Sequence, residues 1–527
     1  MRPVRYVYNV GSRFASVAER LAERPALHAQ QGVVTYGELN SAANRVAAVL
    51  LGRGIVRGNV VAIVHTKTVM CYAAMLACLK IGAAYVNLDD QNPLARLEHV
   101  FATARPSIVV MDGLPALAER LRSLGPAVFD AADAQSHDEL AASSAEEPEV
   151  LGSVTGSDPA YIMYTSGSTG VPKGAVITHA AVMNFASWAA SRFAIKEDDV
   201  LTNVNPMYFD NSVFDFYAAL LNGASLVAIS RELAARPADM VARLDAVGAT
   251  IWFSVPSFLI YLMSMGMLSA ETLRPLRSIV FGGEGYPKPE LRKLFDLYGS
   301  AKALFNVYGP TECTCMCSAW QITAKDLEEA HPLVTLGPIA ENFSFLVLDD
   351  DFQAVEVGRV GELYLCGPQV GVGYVNDAER TSASFIGNPL NSAWNEIVYR
   401  TGDLVRVRED ARTIDFIGRR DNQIKHMGYR IELEEIEAAL NAADGVLQSA
   451  VVQVRDAVGF PAMVAYVSTD KDVTPSAILQ FLKSRLPPYM IPERIEVCGS
   501  LPKNANGKID RLALGRHFSA KAAGPVL

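Results

Sequence analysis

The chain has 527 residues, half of them apolar, which is material for more than one domain with a buried core. Its 47 Lys and Arg against 57 Asp and Glu give a formal charge of −10 and a pI near 5.4. That balance is at odds with a dedicated nucleic-acid binder, which carries a basic face, and suits a well-solvated acidic surface.

In chain order, the opening stretch MRPVRYVYNVGSRF lacks the continuous apolar core of a signal peptide. The most apolar region, Val60 to Val86, is broken by His65, Lys67 and Lys80, so no membrane span and a cytoplasmic location are expected. Val60 to Val64 reads as a strand, Val69 to Leu79 as a helix and Ser107 to Met111 as a strand, the alternation of an α/β fold. Ala134 to Asp158, rich in Ala, Ser and Glu, reads as a solvated connection ahead of a strand over Ala160 to Tyr164. Seven cysteines form no even-numbered framework. Cys313, Cys315 and Cys317 alternate at i, i+2, i+4 rather than at zinc-finger spacing and read as small residues on one strand face. Val360 to Cys366 and Thr413 to Ile417 read as strands ahead of the charged stretch 418–423. Beyond it, Ile431, Leu433, Ile436 and Leu440 fit one helical face, Gln448 to Val454 and Ala462 to Val467 read as strands, and Ile478 to Leu486 as a helix. The expected organisation is a large domain over 1–417, a hinge over 418–423 and a small α+β domain over 424–527.

The most specific local signal is the loop from Tyr164 to Gly174, read as lying between a strand and a helix that starts near Thr178. Thr165, Ser166, Ser168 and Thr169 alternate with Gly167 and Gly170, and Lys173 follows. Glycines let backbone N–H groups converge on an anion, hydroxyls add donors and the lysine adds charge, so the loop suits phosphate. It is not a Walker loop, because Lys173 is followed by Gly174 rather than Ser or Thr.

With this loop the sequence resembles the superfamily of adenylate-forming enzymes, which includes acyl-CoA synthetases, luciferases and the amino-acid adenylation domains of nonribosomal peptide synthetases. Further motifs follow in the superfamily's order: Asn306 to Glu312 (NVYGPTE), Tyr399 to Asp403 (YRTGD), the hinge stretch Gly418 to Glu432, and Asn504 to Asp510 (NANGKID). The resemblance implies an α/β chain: a large adenylation domain of layered αβ subdomains with a small β-barrel-like part, and a small mobile α+β domain carrying Lys508. It implies ATP and Mg²⁺ as cofactors.

Each implied role has a physical reason. Tyr308 presents an aromatic face to the purine. Gly283, Glu284 and Gly285, after the strand ending near Phe281, let backbone approach a flat ring, and Asn306 and Gly309 complete this nucleotide motif. Glu312 offers Mg²⁺ a hard carboxylate oxygen, and Thr311 donates to the α-phosphate. Asp403 accepts from two adjacent ribose hydroxyls, with Arg419 as a planar donor beside it. Lys508 supplies the ammonium that stabilises charge building between the attacking carboxylate and the α-phosphate, while Lys173 contacts the outer phosphates. Standing alone, Tyr308 reads as a core aromatic, Glu312 and Asp403 as turn acids, and Lys508 as an exposed turn lysine.

The segment Tyr208 to Tyr217 (YFDNSVFDFY) resembles the amino-acid-activating branch, in which an Asp at the position of Asp210 pairs with the substrate α-ammonium. By residue type Asp210 also suits a helix N-cap. The implied pocket is Asp210, Asn211, Phe214, Ser254, Val280, Gly282, Val307, Cys315 and Met316. No second charge lines it, so a neutral small-to-medium amino acid is expected. The pattern is similar to D-alanine:carrier ligases, which have cysteine where this chain has Gly282. A second departure is the stretch Asn87 to Asp90 (NLDD), where the peptide-synthetase pattern has proline at the first and last positions. Neither a His-His-x-x-x-Asp-Gly condensation motif nor a Gly-Gly-x-Ser carrier motif after Leu514 occurs. The expectation is a free-standing enzyme that forms an aminoacyl-AMP and loads the phosphopantetheine thiol of a separate carrier protein, with no nucleic-acid or membrane partner. In the resembling family the small domain turns about the position of Asp421, exchanging the lysine loop for the face near Lys425 and Gly428. An acyl-CoA ligase and an idle nucleotide-binding scaffold are the alternative readings.

Overall fold

The computed structural model describes residues 7–167, 170–455, 461–469, 473–503 and 509–522, the last six of these for backbone alone. The chain forms two compact units. The first comprises Met1–Asp90, Thr103–Tyr164 and Gly174–Arg420, and the second Gln91–Ala102, Thr165–Lys173 and Asp421–Leu527.

Two large sheets dominate the first unit. One has seven strands in the order Gly373–Tyr374, Lys173–Thr178, Pro159–Thr165, Ala84–Leu88, Val60–Val64, Ile108–Met111 and Ala127–Asp130. The other has eight, in the order Ser318–Gln321, Ala303–Tyr308, Ser278–Gly282, Ile251–Ser254, Val200–Asn203, Ser225–Ala228, Pro25–Ala29 and Gly32–Thr35, parallel except at its two edges. Parallel strands buried on both faces are continuous apolar runs. Alternation sorts the eight-stranded sheet's side chains into two layers. Ile251, Phe253, Val280, Phe305 and Val307 join one core cluster, and Trp252, Ile279, Phe281 and Leu304 another. Asp210, Gly283 and Thr311 follow the C-terminal ends of strands of this sheet, where parallel sheets open a crevice. A six-stranded antiparallel sheet that includes Val360–Cys366, Ile397–Val407 and Thr413–Arg419 completes the first unit's strands.

In the second unit a hairpin of Gln423–His426 and Tyr429–Glu432 leads into the helix Leu433–Asn441, beside a sheet of Val446–Arg455, Pro461–Thr469 and Arg494–Cys498. Ile431, Ile436, Leu440, Val451, Met463 and Ile478 share its core.

Several boundaries differ from expectation. Gly418 and Arg419 belong to the strand Thr413–Arg419, because Arg419 is in register with Asp403. The helix expected over Ile478 to Leu486 runs Pro475–Lys483: Thr474 caps it by accepting from Ala477 N, and Pro475 supplies a preset first turn. The glycine-rich loop joins two strands, Pro159–Thr165 and Lys173–Thr178, and the helix His179–Arg192 begins only after the second, capped by Thr178.

The stretch Ala134 to Asp158 is largely exposed, as a solvated connection should be, but it is not featureless. It contains the helix Ala134–Ala142 and a 3₁₀ turn Glu149–Ser153, and between them Glu147 reaches a buried lysine. Lys80, fully buried on the helix Val69–Ile81, donates to Asn40 Oδ1 and Asn44 Oδ1 at 2.6 Å and to Glu147 Oε2 at 2.7 Å. Burial lowers this ammonium to about 8, and Glu147 opposes the shift. Glu147→Ala leaves the charge with amide partners alone and should cost about 1–3 kcal/mol of stability in a denaturant titration. Lys80 in the fold would then titrate lower still, below its unfolded value, so part of the deficit should be recovered as pH rises from about 7 to about 9.

Candidate functional site

The strand Ala303–Tyr308 and the chain that follows it supply most of the site. At its end the Tyr308 hydroxyl donates to Asp403 Oδ2 at 2.5 Å, and Arg419 Nη1 donates to Asp403 Oδ1 at 2.8 Å and to the Thr401 carbonyl at 2.7 Å. Asp403 and Arg419 face each other on adjacent antiparallel strands. Burial and the neighbouring carboxylate push the Tyr308 phenol well above its ordinary value, so it stays a donor. The result is an aromatic face flanked by a carboxylate and a guanidinium, a polar set suited to adenine and ribose. The Asn306 amide is turned away to the Thr335 carbonyl, at 2.9 Å.

After Tyr308 the chain doubles back. A Cβ on Gly309 would lie 2.4 Å from Met316 Cα and 2.7 Å from the Cys315 carbonyl oxygen, so only glycine permits the approach. Thr314 and Cys315 complete the return in the left-handed region, with φ of 61° and 75°. The three alternating cysteines therefore do not share a strand face. Cys313 ends a 3₁₀ turn, Cys315 lies in the reversal, and the strand starts only at Ser318. This return places Thr311 so that its hydroxyl donates to Asp210 Oδ2 at 2.5 Å. It also buries Glu312 completely, with Oε1 accepting from the Tyr374 hydroxyl at 2.7 Å.

Asp210 precedes the short helix Asn211–Val213 without making a side-chain cap. Phe214, Val280, Val307, Cys315 and Met316 are buried in one cluster, and the Phe214 ring meets Phe253 edge to face with centroids 5.2 Å apart. Burial and the nearby Asp210 raise the Cys315 thiol, which stays neutral. Ser254 is not in this group: its hydroxyl accepts from Trp252 Nε1 at 2.8 Å on the opposite face of the sheet. Phe253 shares the face of Phe214 and Val280 instead, and the alternation of Trp252, Phe253 and Ser254 is the signal in the sequence that identifies it. Gly282 is packed on Val307, and Gly283, with φ of 89°, turns the chain beside Asn211. Glu284 accepts from Ser257 N at 2.7 Å at the start of the helix Pro256–Ser264, while Gly285 abuts Leu333.

In the second unit the loop Thr165–Lys173 meets the small domain's own elements. The Ser166 hydroxyl donates to the Arg430 carbonyl at 2.7 Å and accepts from Glu432 N at 3.1 Å, and Gly167 N donates to Glu435, which pairs with Arg96 at 2.7 Å. Gly170 has φ of 85° and packs against Ala438. Lys173 opens the next strand. Asp421 Oδ1 accepts from Gln423 N at 3.2 Å, Lys425 stands opposite Arg430, and Gly428 turns the hairpin with φ of 81°. Ser168, Thr169 and Lys508 lie outside the described residues.

Residues 14–375 match the AMP-binding enzyme family and residues 435–508 the AMP-binding enzyme C-terminal domain. The chain belongs to the AMP-binding enzyme family. Within that class it is 34% identical, over 96% of each chain, to an L-proline–(L-prolyl-carrier protein) ligase of Streptomyces coelicolor. It is 35% identical to a dimodular nonribosomal peptide synthase of Bacillus subtilis, where the match covers 95% of this chain but only 20% of that much longer protein. Among solved structures it resembles holo-PA1221, an NRPS protein containing adenylation and PCP domains, with a TM-score of 0.83 and 27% identity over 97% of this chain and 84% of that one.

Gly282 carries a direct prediction. A Cβ there would lie 2.5 Å from both Val307 Cγ2 and the Val307 carbonyl oxygen, and the carbonyl belongs to a paired strand that cannot retreat. Gly282→Cys should therefore lower unfolding stability by about 1–3 kcal/mol, read by chemical denaturation, despite the cysteine that similar D-alanine ligases carry there.

Proposed function

We propose that this protein activates a neutral small-to-medium amino acid with ATP and transfers it to the phosphopantetheine thiol of a separate carrier protein. The observation that carries this reading is the joint placement of two carboxylates on either side of one chain reversal: Asp403 at Tyr308 and Asp210 at Thr311. In the first step a substrate carboxylate oxygen attacks the α-phosphorus, the bond to pyrophosphate breaks and an aminoacyl-AMP forms. In the second the carrier thiolate attacks the acyl carbon, AMP leaves and a thioester results.

Asp403 and Arg419 are the ribose partners in this reading, Tyr308 the adenine face, and Thr311, once its hydroxyl turns from Asp210 to the nucleotide, the donor to the α-phosphate. The half-buried Asp210 carboxylate receives the α-ammonium. The bulk of Phe214, Phe253 and Met316, buried in one cluster, favours a short side chain. Glu312 fits Mg²⁺ as one hard oxygen ligand. An ion of this kind is held largely by phosphates and water, with one or two carboxylates from the protein. When bound, Mg²⁺ neutralises charge on the phosphates. Lys508 stabilises the first transition state, and the glycine-rich loop Thr165, Ser166, Gly167, Ser168, Thr169, Gly170 and Lys173 holds the outer phosphates.

The named activity of the prolyl ligases and the carrier domain joined to PA1221 support this reading. The acyl-CoA alternative needs no counter-charge for an ammonium, so Asp210 speaks against it. Among the described residues no helix is long and apolar enough to cross a membrane.

Pyrophosphate exchange across an amino-acid panel should show one or a few neutral substrates. Asp210→Ala should weaken their activation by about 2–4 kcal/mol if the ion pair is desolvated, and unchanged kinetics would move the protein toward the acyl-CoA branch. Lys508→Ala should lose at least about a hundredfold in adenylation while still loading the carrier from preformed aminoacyl-AMP; equal loss in both steps would refute that division.

The compact units change over between Arg420 and Asp421, which supports Asp421 as the hinge. Asp421→Pro fixes φ, so adenylation should persist while single-turnover transfer to the carrier slows. An undiminished transfer rate would sink the hinge.

A further inference from the structure

The turn that delivers Asp210 is held by side chains with no place in the reaction scheme. After the strand Val200–Asn203 the chain passes through Asn205 and Met207 to Asp210, and then enters a π-helical turn, Phe214–Ala218. Such wide turns re-aim a side chain relative to an α-helix and recur at functional sites. Here the turn carries Asp215, which is fully buried. Its Oδ2 accepts from Asn203 Nδ2 at 2.9 Å and from Asn205 Nδ2 at 3.0 Å, closing the loop from Asn205 to Asp215 with Asp210 inside it. Asn205 Nδ2 also donates to the Phe253 carbonyl at 3.0 Å, so the base of the loop is fixed to the strand that supplies the pocket's aromatic wall.

The outer side of the same loop is held separately. Asn87 Nδ2 donates to the Met207 carbonyl at 2.9 Å. Arg231, paired with Asp89 at 2.5 Å and Asp90 at 3.1 Å, donates to the Tyr208 hydroxyl at 2.9 Å. Asn87 and Asp90 are the two positions at which the sequence departs from proline. A proline in either place offers no side-chain donor or acceptor, so these contacts belong to this chain's own residues.

A buried carboxylate is costly to keep. Among the described residues Asp215 makes no direct ion pair: the nearby Lys67 ammonium donates instead to the Asn203 carbonyl, at 2.6 Å. Its two hydrogen bonds both serve to close the Asp210 loop. We propose that Asp215 and Asn87 are positioning residues for amino-acid binding, clamping the segment from Asn205 to Asp210 so that the Asp210 carboxylate meets the substrate ammonium. This inference rests on the reading of Asp210 as the ammonium partner.

The test is steady-state pyrophosphate exchange on the full chain, using whichever of glycine, L-alanine, D-alanine, L-serine and L-proline is activated fastest, with Asn87→Leu, Asp215→Ala, Asp215→Asn and Asp210→Asn compared. Asn87→Leu and Asp215→Ala should raise KM for the amino acid about tenfold or more while KM for ATP stays within about twofold. Asp215→Asn keeps an acceptor oxygen for both amides and should return to within about threefold of the parent. A general structural role would move both KM values and kcat together and would not be rescued by Asn; that result, or an unchanged amino-acid KM in Asn87→Leu, overturns the clamp. If Asp215→Ala does not fold, Asn87→Leu and Asp215→Asn decide the matter. Asp210→Asn separates the two levels. If it raises the amino-acid KM and the clamp variants do not, the clamp alone fails. If it does not, the reading of Asp210 fails and the clamp with it.

Discussion

Everything in the candidate site depends on how closely the chain can fold back after Tyr308. Gly309 brings its backbone against Met316 and Cys315 at distances that no Cβ would allow. Because of that contact, one short stretch delivers an aromatic ring at Tyr308, a hydroxyl at Thr311, a buried carboxylate at Glu312 and the buried side chains of Cys315 and Met316. A more open turn would scatter these groups over several ångströms, and the pairing of Thr311 with Asp210 would be lost. The two left-handed residues, Thr314 and Cys315, carry backbone strain of the kind that persists only where surrounding packing over-determines it. That packing comes from both core layers around the strand Ala303–Tyr308.

The site's polar pairs are also second uses of sheet register. Asp403 meets Arg419 because antiparallel neighbours place them opposite one another. Tyr374 reaches Glu312 from the short edge strand Gly373–Tyr374, which pairs with Lys173–Thr178 of the seven-stranded sheet. A carboxylate thus draws its donor from a strand distant in sequence, and the donor's position is set by backbone hydrogen bonds rather than by a flexible loop.

Much of this was legible in the sequence where the signal was local. Val60 to Val64 and Val360 to Cys366 are strands with the expected bounds, since alternating or continuous apolar runs fix them without help from distant parts of the chain. The ordered motifs NVYGPTE and YRTGD located residues that the fold does bring together. Signals that depend on tertiary partners were not legible. Ala134 to Asp158 is largely solvated, as its composition implies, but Glu147 within it partners the buried Lys80, more than fifty residues earlier, a contact no local pattern discloses. The cysteines looked like a strand face because of their period of two, but every residue from Thr311 to Ala319 is buried, so the reversal makes no inner and outer face. The resemblance groups Ser254 with Phe214 and Val280, whereas strand parity puts Phe253 on their face of the sheet and Ser254 on the other. Asp215, Asn203 and Asn205 read as ordinary polar residues until the π-helical turn draws them together.

The edge-to-face contact between Phe214 and Phe253 has a consequence for how this protein's selectivity can change. In the proposed reading both rings line the pocket, and both belong to the main hydrophobic core shared by the two large sheets. Phe193 extends the same aromatic stack to Phe305. Trimming either pocket ring to admit a larger substrate also opens a void in that core, a change that typically costs about 3–5 kcal/mol, a large share of what holds a domain together. Substrate choice and conformational stability are therefore encoded in the same atoms. A lineage, or an engineer, that broadens the pocket must first acquire stability elsewhere, so the order in which substitutions accumulate is constrained by thermodynamics before catalysis is considered.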